Sequence, residues 1–250
     1  HVDLANNIYA NTVDTTEDTL DQDANGYTDD IRGWDFVNHD NDPNDDYGHG
    51  THVAGIIAAD GSNDKGMTGV MQDAQILPLK VLGSAGTGTT ADEVDAINYA
   101  VQRKSVHSEN VKIINLSLGG DDYSSAEYDA VKGARDAGIL VVAAAGNDGT
   151  NNDTSPVYPA SYELANIISV AATDQTDNIA TSGVNGATFS SNYGSTSVDV
   201  AAPGINITST YIASGVSSTY SFQQGTSMAA PHVAGTAGLL WAVNTGWTFT

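Results

Sequence analysis

Residues 139–147 read Ile-Leu-Val-Val-Ala-Ala-Ala-Gly-Asn, seven apolar residues closed by a glycine and an amide. A run that is apolar at every position, rather than at alternate ones, suits a strand buried on both faces. Before it, 124–137 reads as a helix and 111–116 as another apolar strand. Moving outward, the alternation continues with strands over 75–82, 167–171 and 198–201, a helix from 49 and a helix over 227–243. A further helix over 91–104 has its apolar spacing in Val94, Ile97, Tyr99 and Val101. Such a pattern predicts a three-layer α/β/α fold around a mostly parallel sheet. Sites in these sheets form at the carboxyl ends of strands, so 115–120 and 146–149 are expected to face one crevice. Residues 1–47 are polar, rich in Asp and Asn, and are expected to be mostly loop.

The chain has 250 residues, enough for one sizeable core and a single domain. It carries 31 acidic against 8 basic residues, a net charge of −23, which argues against nucleic acid as a partner. Thirteen of those acids lie in residues 1–50, where Arg32 is the only base. With no cysteine, disulfides, thiolate metal sites and a Cys nucleophile are excluded. No apolar run reaches membrane-spanning length and no signal peptide is seen. The expectation is a secreted or salt-adapted monomer with no membrane partner.

Residues 225–235 read Gly-Thr-Ser-Met-Ala-Ala-Pro-His-Val-Ala-Gly, which puts Ser227 in the first turn of a helix. There it lies in the positive end of the helix dipole, beside free N–H groups that can hold an oxyanion. Pro231 costs little so near a helix start. A nucleophilic serine needs a base, and His49, between Gly48 and Gly50, is the best candidate of six histidines. His52 and His232 are expected to be core residues bonded to backbone. The His49/His52 spacing lacks the i, i+4 pattern of a zinc helix. Asn147 closes the 139–145 strand and can aim its amide at a developing oxyanion. The tetrapeptide His-Val-Ala-Gly occurs at 52–55 and 232–235, which suggests two helices packed by small faces.

In order along the chain, His-Gly-Thr-His-Val-Ala-Gly, Asn-Leu-Ser-Leu-Gly-Gly, Ala-Ala-Gly-Asn and Gly-Thr-Ser-Met-Ala-Ala-Pro-His closely resemble the subtilisin-like serine proteases, the subtilases. The resemblance extends over essentially the whole chain, including Tyr158-Pro159-Ala160 and 201–204. It implies a subtilisin-like fold and a secreted endopeptidase acting on polypeptides, made with a propeptide in its full-length precursor. It makes Ser227 the nucleophile, His49 its general base and Asn147 the oxyanion donor. It also implies that the backbone of Ser117, Leu118 and Gly119 pairs with substrate as an added strand. Ala144, Ala145 and Gly146 would line the pocket for the residue before the scissile bond, with Val157 at its floor. The two branched methyls of Val157 would shorten that pocket and favour small or medium side chains.

The family's orienting acid lies in an Asp-Thr/Ser-Gly signature, and neither form occurs here. The opening His1-Val-Asp-Leu4 matches the family's segment just after that signature, so Asp3 matches a later, non-catalytic aspartate. The resemblance thus implies a catalytic domain clipped at both ends, with the acid upstream of residue 1. Such a segment alone is expected to fold poorly and to be nearly inactive, whereas the extended gene product is active.

Residues 14–47 read as an acidic loop insertion. Within it, Asp21, Asp23, Asn25, Tyr27 (through its carbonyl) and Asp29 alternate as oxygen ligands around Gly26, as at the start of an EF-hand calcium loop. Arg32 occupies the twelfth position, so the full motif fails, and Asp30, Asp40, Asp42, Asp45 or Asp46 would have to complete a structural Ca2+ site. Two other readings remain: a truncated or inactive homologue that binds peptides, and a calcium-dependent structural or adhesion module.

Overall fold

The computed structural model describes residues 1–181, 189–213 and 217–249. Its elements in chain order are β1 (Trp34–Asp35), α1 (His49–Ala58), β2 (Leu79–Lys80), α2 (Thr90–Ser105), β3 (Ile113–Leu116) and α3 (Ser125–Asp136). They continue with β4 (Leu140–Ala144), β5 (Ile167–Thr173), β6 (Val200–Pro203), β7 (Ile207–Ala213), β8 (Ser217–Gln223) and α4 (Thr226–Val243). Strands β3-β4-β5-β6 form a parallel sheet in that order, and β1 pairs with β2 in parallel as a separate two-stranded piece.

Strand β4 explains its own sequence. All five of its residues are buried. Leu140, Val142 and Ala144 pack on Ala229, Ala230 and Ala234 of α4. Val141 and Ala143 turn the other way, onto Ala130, Val131 and Ala134 of α3. Successive side chains of a strand point to opposite faces, so helices on both faces require apolar residues at every position. The three layers expected from the sequence are present. Helices α2 and α3 begin where Thr89 and Ser124 accept the backbone N–H groups of Asp92 and Glu127, ordinary side-chain caps.

Three local features differ from the sequence expectation. The strand expected over 75–82 is only two residues long. Strands β7 and β8 form an antiparallel hairpin where no strand was expected. Finally, the glycines of the two His-Val-Ala-Gly segments do not meet each other. A Cβ at Gly55 would lie 2.1 Å from Thr210 Oγ1 of β7, and one at Gly235 would lie 2.7 Å from Val70. Helices α1 and α4 do pack together as expected, through Val53, Ile56 and Met228 and at Gly235, where a Cβ would lie 3.6 Å from Ile57 O.

Candidate active site

The nucleophile candidate lies where β3, β4 and α4 meet. Pro231 has no N–H, so the carbonyl four residues earlier, that of Ser227, loses its helical partner. Ser117, just past the end of β3, replaces it: its hydroxyl donates to Ser227 O at 2.8 Å. In return Ser227 Oγ donates to Ser117 O at 3.2 Å. Asn115 Nδ2 donates to Ser117 Oγ at 2.9 Å and fixes that hydroxyl. The start of the serine helix is thereby tied to the segment after β3.

Asn147 is oriented from the same helix. Its Oδ1 accepts Thr226 N–H at 2.9 Å and Thr226 Oγ–H at 3.0 Å. Holding the oxygen end leaves the Nδ2 donors free to face an incoming charge. Thr226 Oγ1 also accepts the Gly146 amide at 3.2 Å, so one buried hydroxyl sets both the amide and the turn before it.

His49 opens α1 after Gly48, whose φ of 98° is in the left-handed region that favours glycine. A Cβ on Gly48 would also meet the Tyr211 ring at 2.4 Å. Burial holds the His49 pKa below its ordinary value, and the nearby Asp45 charge opposes that shift. Asp45 itself caps α1, accepting from Gly48 N at 2.7 Å, Tyr47 N at 2.9 Å, and Thr51 N and Oγ1 at 2.8 and 2.7 Å. Both its oxygens are thus engaged, and His49 makes no side-chain hydrogen bond among the described residues. Asp3 is also committed elsewhere, accepting from Asn63, Met67 N and Tyr220. His52 is buried with Nε2 on the carbonyls of Ile207 and Ser221, and His232 Nδ1 lies on Met228 O at 2.8 Å. Both bond to backbone as expected, but only His52 is a core residue; His232 is half-buried.

The expected substrate segments also converge. Gly120 and Tyr158 exchange backbone hydrogen bonds at 2.9 and 2.8 Å, which brings Ser117, Leu118 and Gly119 beside Val157. Val157 Cγ1 lies 3.2 Å from where a Gly119 Cβ would be, and Cγ2 lies 3.4 Å from that of Gly146. The valine side chain therefore spans the gap between these two walls. Ala144 and Ala145, expected to line the pocket, are buried, and both backbone groups of Ala145 are engaged, its N–H on Val170 O at 3.0 Å and its carbonyl accepting from Asn152 Nδ2 at 2.8 Å.

A cleft of about 1980 Å³ runs between β2 and β3. Leu77, Leu79 and Val81 line one side, Ile113, Asn115 and Leu116 the other, and His49 and Ser117 also border it. It divides the parallel strands into the two-stranded and four-stranded pieces.

The acidic loop is only partly gathered. Ligand atoms of Asp21 and Asp23 come within 4.8 Å of each other and of Asp14, a group able to hold a metal. Asn25 turns inward, with Nδ2 donating to Asp30 at 2.6 Å. Asp29 accepts the amides of Asp18 and Thr19 at 3.0 and 3.1 Å. The Tyr27 ring stacks edge-on against Trp34, Phe36 and Tyr99. Sequence reasoning missed Asp14 because it stands outside the alternating ligand spacing. It missed Thr226 and the hydroxyl role of Ser117 because both act on residues distant in sequence.

A helix-start serine, a held amide and a histidine at the head of a neighbouring helix, on a parallel sheet, are the architecture of a subtilisin-like serine endopeptidase. The chain belongs to the subtilase family, whose profile matches residues 1–250. It is 47% identical over 210 residues to thermitase of Thermoactinomyces vulgaris, covering 84% of this chain and 67% of that one. It is 43% identical to a thermophilic serine proteinase of Bacillus sp. strain AK1, covering 91% of this chain and 50% of that one. Among solved structures, a cold adapted subtilisin-like serine proteinase superposes with a TM-score of 0.71 at 35% identity, covering 87% of this chain and 69% of that one.

Proposed function

We propose that this chain is the catalytic part of a secreted serine endopeptidase that cleaves polypeptides through an acyl-enzyme on Ser227. The observation that carries the proposal is the capture of Asn147 Oδ1 by Thr226 beside Ser227, which leaves an amide donor free at the positive pole of α4. In this reading Ser227 Oγ leaves Ser117 O, passes its proton to His49 and attacks the scissile carbonyl. Asn147 Nδ2 and the first-turn N–H groups hold the oxyanion. His49 then protonates the leaving amine, and water releases the acyl group by the same steps.

The backbone of Ser117, Leu118 and Gly119 would pair with the substrate as an added strand. Val157, between the Gly119 and Gly146 walls, would shorten the pocket for the residue before the scissile bond. The acid that orients His49 is proposed to arrive on a strand between β2 and β3. This is supported by the cleft between those parallel strands and by the buried Asn115 Oδ1 on its wall, which has no partner among the described residues. The acidic loop is proposed as a structural Ca2+ site, and the mature form as a monomer released from a propeptide.

Labelling of the intact protein by a fluorophosphonate probe tests the central claim. The expected result is stoichiometric modification that Ser227→Ala abolishes. An intact protein that binds peptide but takes no label would instead be a non-cleaving homologue.

A further inference from the structure

Asp14 is fully buried, and neither of its carboxylate oxygens accepts a hydrogen bond among the described residues. A buried carboxylate without a donor is costly, and a bound cation is one way to offset that cost. Burial and the charges of Asp30 and Asp23 disfavour the charged form of Asp14, and the nearby Asp29 amide, which favours it, falls short of hydrogen-bond geometry. What faces Asp14 is more negative charge: one oxygen each from Asp21 and Asp23, all three ligand atoms within 4.8 Å of one another. Arg103, the neighbouring cation, is already committed to Asp23 at 2.5 Å and to Glu109, with Asp30 at 3.6 Å. Three mutually facing acceptors do not make a hydrogen-bonded network. They do match a hard cation, since oxygens on opposite sides of Ca2+ at about 2.4 Å are about 4.8 Å apart.

We propose that Asp14, Asp21 and Asp23 hold a calcium ion, with Asp14 entering the shell from outside the alternating 21–29 run. The inference rests on the reading of that loop as a calcium site and changes its ligand set. Asn25 and Asp29 then serve the loop's own hydrogen bonds instead of the ion. Asp23 carries a further consequence. It is also the carboxylate that Arg103 grips, so the ion would fasten the loop to α2 as well as to itself.

The test compares the intact protein, in a Ser227→Ala background to prevent self-digestion, with Asp14→Asn and Asp29→Asn. Bound calcium is counted by equilibrium dialysis, and melting is followed in calcium and in EGTA. Asp14→Asn is expected to lose one calcium per chain. It should melt below its parent in calcium and above it in EGTA, because the amide removes like-charge repulsion. Asp29→Asn should keep the full calcium count. If Asp14→Asn folds poorly, Asp21→Asn at its partly exposed position should show the same loss and the same reversal. An equal drop in melting temperature with and without calcium would make Asp14 a packing residue and overturn the proposal. Calcium lost on Asp29→Asn but kept on Asp14→Asn would overturn this ligand set while leaving a calcium loop in place. No calcium uptake at the loop in any variant would overturn both.

Discussion

The pairing of Pro231 with Ser117 makes a prediction that depends on geometry rather than on motif. Because Pro231 has no N–H, the carbonyl at position 227 relies on the Ser117 hydroxyl at 2.8 Å. Ser117→Ala removes that donor and leaves a partly buried carbonyl unpaired, at a cost of about 1–3 kcal/mol. Asn115 Nδ2 loses its acceptor in the same substitution, but water can reach this partly buried site, so the lower half of that range is expected. For a chain of this length, about 1–2 kcal/mol lowers the melting temperature by roughly 2–8 °C. Pro231→Ala supplies a backbone N–H to the same carbonyl. Ser117→Ala should therefore cost about 1 kcal/mol less in the Pro231→Ala background, a coupling that a double-mutant cycle isolates. The assay is urea unfolding of the four proteins in a Ser227→Ala background, which stops self-digestion and keeps the carbonyl at position 227. Equal costs of Ser117→Ala with and without Pro231→Ala would refute the reasoning. The hydroxyl would then be a packing group, and the carbonyl would be satisfied some other way.

Further outcomes follow from the same contacts. Thr226→Val removes the hydroxyl that holds Asn147 and should lower kcat about tenfold with KM unchanged. Thr226→Ser should restore it, and the effect should vanish in an Asn147→Ala background. Asn147→Ala itself should cost about 10²–10³ in kcat, the magnitude established on subtilisin for loss of an oxyanion-hole amide. Burial pushes the His52 pKa down to about 4 from 6.5, so the unfolded chain binds the extra proton between those values. Its share of stability is full above pH 6.5 and falls by about 3 kcal/mol as pH drops to 4. Urea unfolding at pH 7.5, 5.5 and 4 should show His52→Gln flattening that part of the slope. Glu93 runs the opposite way: burial, then the facing Glu127, raise its pKa to about 9 from 4.5. Its contribution is full below pH 4.5 and drains away as pH rises to 9, so the advantage of Glu93→Gln should grow between pH 5 and 8; a constant difference would count against a buried neutral acid. Val157→Gly should raise kcat/KM for Phe over Ala before the scissile bond, measured with matched peptides, and an unchanged ratio would remove Val157 from the pocket.

What could be read from the sequence, and what could not, divides along a physical line. The sandwiched β4 was legible because burial on both faces leaves an uninterrupted apolar run. Helix α4 was legible because a glycine, a hydroxyl and a small-residue run mark its start. The β7–β8 hairpin was not, because its buried side chains are polar. Ser209 and Thr210 are fully buried, and their hydroxyls donate to the carbonyls of His52 and Thr51, each at 2.7 Å. Hydropathy takes such residues for surface, although each stabilises the histidine helix by satisfying its backbone. The same division applies within the site. Ser227, His49 and Asn147 announce themselves through the glycines and small residues around them. Their holders do not, since Ser117 and Thr226 are common residues whose roles arise only when segments 110 and 79 positions apart meet. Pro231 connects the two kinds of information. From sequence it looked like a tolerated blemish in a helix, but the carbonyl it leaves without a helical partner is the one through which the Ser117 hydroxyl ties position 227 to the segment after β3. A local signature in this chain thus names the candidate site residues, and long-range hydrogen bonds decide where they point.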